Sequence, residues 1–308
     1  FAELRSLGSL GQAQTIIQVN HPRDGILGYF SQYNRSPYTG EEAAPTLVQQ
    51  VIAPKGPAFR TKDDKTTFSF GFDAMEIANG KLFFEIHHYR VPDSLPKGDL
   101  PATIPPAGSI VKKANGEPGF PGAAEDWFNL LNLGHRFVAV GTADSHSGTD
   151  EAGQFRTMVY VGNDEPGALT DEDIVTAFRS RRVIATNGPV LDFWIDDPAR
   201  GVMGQTIKSA NGSTVSLHYH LTSAPWISVA RVNVWRNGVI AKVIDVDPDR
   251  DLAARPLDAT IDGLSLAKDA QDAAIDSWFV LEAIGYRNMF PVITPQEVPP
   301  VLLTEAVA

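Results

Sequence analysis

Arg136-Phe137-Val138-Ala139-Val140-Gly141-Thr142-Ala143-Asp144-Ser145-His146 is the stretch whose reading decides the rest. It begins as a short apolar run, too short for a helix and rich in Val and Ala, which reads as a buried strand of the parallel kind. The run then ends in a polar cluster, where α/β folds keep their chemistry. Asp144 and His146 are two residues apart, so in an extended chain both side chains point to one side. A carboxylate and an imidazole offered together suit a divalent metal such as Zn, Mn or Fe. The competing reading is a polar strand end that caps the following loop.

Upstream, Phe1, Leu4, Leu7 and Leu10 recur at helical spacing, and Gly8 and Gly11 close the segment. Thr15-Ile16-Ile17-Gln18-Val19 is a β-branched run that reads as a strand ending in Asn20-His21-Pro22. Proline disfavours the helical region for its predecessor, so His21 is expected to be extended, as a turn histidine or as a site residue. Residues 23–66 form a proline-broken excursion. Phe68 to Ile77 restores strand character and ends in Ala78-Asn79-Gly80, placing Glu76 and Asn79 at another polar strand end. Either one is a candidate for orienting a metal-bound imidazole, although Asn79-Gly80 is also a turn signal.

His87 and His88 are adjacent, so their side chains diverge and a shared ion is disfavoured. Residues 91–122 are dense in proline and glycine, which suits a loop covering a pocket. Glu125 to Leu133 reads as a helix with Trp127, Leu130, Leu131 and Leu133 on its apolar surface and Gly134 at its end. His135 lies at the opposite end of the central strand from Asp144 and is given no catalytic role. Beyond His146 come a strand at 157–161, a helix capped by Thr170 or Asp171, and a strand Val183-Ile184-Ala185-Thr186 ending in Asn187-Gly188-Pro189. That alternation predicts a parallel α/β layer forming part of a barrel. Arg156, at the start of the strand after the metal loop, is a candidate to hold an anionic group, although a surface ion pair is the favoured reading.

From Val190 the pattern changes. Val215 to Leu221 alternates with period two, so His218 and His220 share a face, as a half-exposed sandwich strand requires. Arg236-Asn237-Gly238 between two β-rich runs signals a hairpin. Ser277 to Ile284 is a further strand, and the whole predicts an antiparallel β-sandwich. Asp245, Asp247, Asp249 and Asp251 resemble a calcium loop but lack the Gly and Glu it needs, so a solvated acidic turn is expected.

The chain has 308 residues, no cysteine and a formal charge of −11. That size accommodates two domains. The acidic balance argues against nucleic acid as a partner, and the lack of cysteine excludes thiolate metal sites. Any metal must therefore be held by histidine and carboxylates. No apolar run is long enough to span a membrane.

Taken together, His21-Pro22, Asp73-Ala74-Met75-Glu76-Ile77-Ala78-Asn79-Gly80, Trp127 to Asp144-Ser145-His146, and Thr186-Asn187-Gly188-Pro189 resemble the later motifs of the PHP metallohydrolase superfamily, closest to its carbaryl-hydrolase-like branch. The resemblance implies a distorted β/α barrel over residues 1–190 and a β-sandwich accessory domain over 191–308. It implies that His21, Asp144 and His146 ligate a cluster of one to three divalent ions, not necessarily the same one. The family's earlier His-x-His segment does not precede His21, so an upstream segment or another chain is expected to complete the site. This stretch by itself is then expected to be inactive. The expected chemistry is hydrolysis of a small phosphoester, or of a carboxyl or carbamate ester, by metal-activated water. The alternatives are a non-catalytic binding or scaffold module with a degenerate barrel, and a surface-binding protein acting through the sandwich.

Overall fold

A computed structural model of the chain describes residues 1–9, 11–22, 28–33, 35, 68–80, 86, 122–146, 152–163, 165–210, 212–285 and 289. His87, His88, the segment 91–121, the loop 147–150 and most of 23–66 lie outside the described residues.

The fold is a mixed α/β layer followed by antiparallel sheets. Three short parallel strands, β1 (Gln18–Val19), β2 (Ala74–Asn79) and β3 (Val138–Thr142), pair in that order. Both faces of this sheet are buried, which accounts for its nearly continuous apolar strands. One face carries an aromatic cluster in which Phe30, Phe72 and Phe137 are buried, with the Phe72 and Phe137 rings 4.0 Å apart. The other face packs Ala74, Val138 and Val140 against Val183.

β1 is shorter than its β-branched run predicts. The Ile17 amide donates to the Asp73 carboxylate at 2.8 Å, and the Thr15 carbonyl accepts from Arg5 and Arg179. Side chains thus satisfy the backbone groups that a longer ladder would have used. The first helix, α1 (Ala2–Ser6), buries none of its residues, and Leu4 and Leu7 remain exposed rather than forming an apolar face. A four-residue helix, α2 (Tyr29–Gln32), carries Phe30 into the aromatic cluster.

The longer α3 (Ala123–Asn132) buries Ala124, Phe128 and Leu130. Phe128 stands 5.0 Å from Trp235 and 5.2 Å from Trp278, ring to ring, and the Trp278 indole donates to Asn132 at 2.8 Å. This helix therefore joins the layer to the sandwich. Leu133, expected on the apolar surface, is exposed.

The expected parallel arrangement fails at the next pair. β4 (Arg156–Val159) and β5 (Val183–Thr186) are antiparallel, with Val159 opposite Val183 and Arg156 opposite Thr186. Between them α4 (Asp171–Arg179) begins at a reciprocal capping box of Thr170 and Asp173. It ends with Arg181 in the left-handed region at φ 59°. That turn sends the chain back beside β4, so the helix is an insertion in a hairpin rather than a crossover. The β4–β5 pair rests on β3 at Gly141, where a Cβ would lie 3.1 Å from the Arg156 carbonyl and 3.4 Å from Ala185. Among the described residues no barrel closes.

The antiparallel part holds six strands: β6 (Val190–Ile195), β7 (Thr214–Thr222), β8 (Arg231–Arg236), β9 (Val239–Asp245), β10 (Leu257–Ser265) and β11 (Phe279–Ile284). They form two sheets, ordered β10-β7-β6 and β11-β8-β9, over one core of Leu191, Leu217, Tyr219, Leu221, Val232 and Val234. Asn237 (φ 50°) and Gly238 (φ 82°) supply the two-residue turn of the β8–β9 hairpin. His218 and His220 face outward, hydrogen bonded to Thr260 and Asp258 respectively. Asp247 and Asp251 accept amides of their own turn, as a solvated acidic turn requires. No helix of the described residues is long and apolar enough to cross a membrane.

His135 sits at the amino end of β3 and stacks on Phe70, 4.3 Å between ring centroids. Burial lowers its pKa from the ordinary histidine value. The unfolded chain therefore takes up this proton first, so the contribution to stability is full above about pH 6.5, the unfolded value, and is lost as pH falls from there through the lower folded value. His135→Phe is expected to show a smaller drop in urea midpoint between pH 7.5 and pH 5 than the wild-type protein. An equal drop in both would show that another group governs that range.

Candidate site at the carboxyl ends of the parallel strands

Two carboxylates, Asp73 just before β2 and Glu76 within it, have different roles. At the amino end of the strand Asp73 pairs with Arg5 at 2.8 Å, lies 3.8 Å from Arg179, and accepts the Ile17 amide. This is a clasp between α1, β1, β2 and α4. Midway along the strand lies Glu76, only 2% exposed, its carboxylate reaching the residues that follow β1 and end β3.

Glu76 gathers three strands. One carboxylate oxygen accepts the backbone N–H of His21, just beyond β1. The other accepts the Thr142 hydroxyl at the end of β3 and, at 3.3 Å, the Asn79 amide. In a regular strand, residues three apart point to opposite faces. β2 instead has a bulge between Glu76 and Ala78, which shifts the register by one and turns Asn79 onto the side of Glu76. Gly80 completes the junction. Its N–H donates to the Thr142 carbonyl at 2.8 Å, and a Cβ there would stand 2.6 Å from the Ala143 oxygen.

His21 is not extended, as the following proline predicted, but has φ 30°. Its N–H turns inward to the Glu76 carboxylate, which overrides the local preference. The Nδ1 atom of His21 is buried and has no hydrogen-bond partner among the described residues. Such an atom ordinarily costs about 1–3 kcal/mol when left unsatisfied.

Asp144 and His146 come together by a different route from the one expected. β3 ends at Thr142, and Asp144 adopts the left-handed conformation at φ 54°. The His146 ring then folds back, with Nδ1 2.6 Å from the Asp144 carbonyl and 3.4 Å from its carboxylate. A turn, not strand alternation, puts both groups on one side.

No family model, curated protein or solved structure matches this chain. The chemistry of the site rests on its own geometry.

Imidazole nitrogen and carboxylate oxygen are suitable donors for Zn, Mn or Fe. Their number falls short, because among the described residues no three His, Asp or Glu side chains gather closely enough to hold an ion. Arg156, the candidate anion holder, is exposed and donates to the nearby Gly153 carbonyl at 3.0 Å. Thr142 is the site residue that sequence reading passed over. Its only signal was position, at the end of the central strand and two residues before Asp144.

Proposed function

We propose that the chain supplies one edge of a metal-dependent hydrolase site acting on a phosphoester, or on a carboxyl or carbamate ester, within a PHP-type barrel. One observation carries this reading. β1 and β3 lead into His21 and the Asp144–His146 couple, and Glu76, midway along the strand between them, accepts from the His21 N–H and from the Thr142 hydroxyl at the end of β3. The buried Nδ1 of His21, which has no hydrogen-bond partner among the described residues, supports it, because a metal would satisfy that lone pair.

In this reading His21, Asp144 and His146 are ligands, and the remaining ligands come from outside the described residues. A bound ion would supply Lewis acidity and lower the pKa of a water molecule. The chain's own residues do the positioning. Glu76 holds the His21 backbone and Thr142 in register, and the Asp144 carbonyl and carboxylate both face Nδ1 of His146, setting the orientation of that ring.

A second reading, a binding or scaffold module with a degenerate barrel, is favoured by the absence of a three-donor group among the described residues. Elemental analysis separates the two. The full-length protein, passed through gel filtration after incubation with Mn or Zn, is expected to retain at least one ion per chain. It is also expected to cleave bis(p-nitrophenyl) phosphate or p-nitrophenyl acetate only with that ion. No retained ion and no ion-dependent rate would establish the scaffold reading.

A further inference from the structure

Arg136 and Arg181 stand just before β3 and β5, with Arg136 at the opposite end of β3 from Asp144 and His146. Both line a cleft of about 1680 Å3 between the α/β layer and the sandwich. Arg136 donates to the Thr206 hydroxyl at 3.1 Å. The sandwich segment that carries Thr206 is pressed against the end of α4. A Cβ at Gly204 would lie 2.0 Å from the Ser180 carbonyl, so that approach is open only to glycine. Burial, and then the positive charge of Arg136, push the Arg181 guanidinium below its ordinary range.

These are two like charges held within each other's field. In a chain with 37 acidic and 26 basic residues, no carboxylate of the described residues pairs with either. The carboxyl end of α4 offers Arg181 roughly half an elementary charge, which is too little to neutralise two guanidinium groups. A monocarboxylate would neutralise only one. A phosphate dianion matches both, and guanidinium forks bind its oxygens in pairs.

We propose that Arg136 and Arg181, with the Thr206 hydroxyl, form a binding site for a phosphate dianion, either free or as the terminal phosphomonoester of a small molecule. The site lies at the seam between layer and sandwich, so its occupation ties the two parts together. It is independent of the hydrolase reading.

The test is calorimetric titration of the full chain with inorganic phosphate, with glycerol phosphate, and with glycerol, at constant ionic strength and with a chelator present. Saturable binding of phosphate or of glycerol phosphate is expected, and the tighter of the two identifies the source. Arg136→Gln and Arg181→Gln are each expected to weaken it by about tenfold or more, as loss of a charge-assisted contact implies. Arg200→Gln, whose guanidinium pairs with Asp197 on the surface, should not change it, and neither should Asp144→Asn. Without phosphate, the two cleft variants should unfold no earlier than the wild type, since each removes one of two positive charges that no carboxylate of the described residues pairs with. An absence of saturable binding, binding indifferent to both substitutions, or a lower midpoint in the phosphate-free variants would each overturn the proposal.

Discussion

Asp144→Asn and His146→Ala are each expected to lower ion-dependent hydrolysis by the full-length protein by about 1000-fold or more. Groups that merely orient a metal ligand are worth about 10- to 100-fold, and a ligand itself is worth more. The same variants should leave stability within about 0.5 kcal/mol of wild type. The physical reason is exposure: the His146 side chain is 68% exposed and the Asp144 side chain 25%, so neither removal opens a packed cavity. Asparagine is chosen at 144 because, with aspartate, it tolerates the left-handed backbone that alanine would strain. Initial rates at saturating Mn or Zn, read beside urea midpoints, separate loss of chemistry from loss of fold. Full turnover in both variants would remove the metal assignment.

Glu76→Ala should have the opposite profile, a loss of about 3 kcal/mol or more in unfolding free energy. Its carboxylate is the acceptor for the His21 N–H, the Thr142 hydroxyl and the Asn79 amide, at a position almost closed to water. Alanine removes the acceptor and leaves all three donors in place, and each buried donor left unsatisfied costs about 1–3 kcal/mol, not additively. Glu76→Gln retains one carbonyl oxygen and is expected to lose roughly half as much. Thr142→Val should weaken the effect of Glu76→Ala, because one orphaned donor is then gone. A change below about 0.5 kcal/mol in the unfolding free energy of Glu76→Ala, from urea titration, would show that the junction does not hold the strand ends together.

Much of the architecture was legible because it follows from local rules. The Val138–Thr142 strand, the α4 cap at Thr170, the β5 run Val183–Thr186 and the Asn237-Gly238 turn all stand where composition and spacing put them. In the sandwich, strict alternation along β7 separates Leu217, Tyr219 and Leu221, which are buried, from His218 and His220, which face outward. The hydrophobic effect acts on each such strand independently of distant partners, so a period of two is sufficient to assign faces.

The errors share a cause. The β-branched run Thr15–Val19 predicts five residues of β1, yet Asp73, Arg5 and Arg179 take over its backbone groups from elsewhere in the chain. Strand–helix–strand alternation predicts a parallel crossover for β4–α4–β5, yet a left-handed turn at Arg181 reverses it. The proline after His21 predicts an extended backbone there, yet a carboxylate 55 residues away draws the His21 N–H inward.

By itself the sequence determined which residue types reach the candidate site: His21, Glu76, Asn79, Asp144 and His146 each follow, interrupt or close an apolar run. Tertiary structure alone decided how they face one another. The bulge in β2 brings Asn79 to Glu76, the left-handed turn at Asp144 brings its carboxylate to His146, and Thr142 joins through a contact between strands. Apolar spacing encodes burial, which is a one-body property. The direction of a polar side chain depends on which donor or acceptor another strand places opposite it, and no local pattern carries that information.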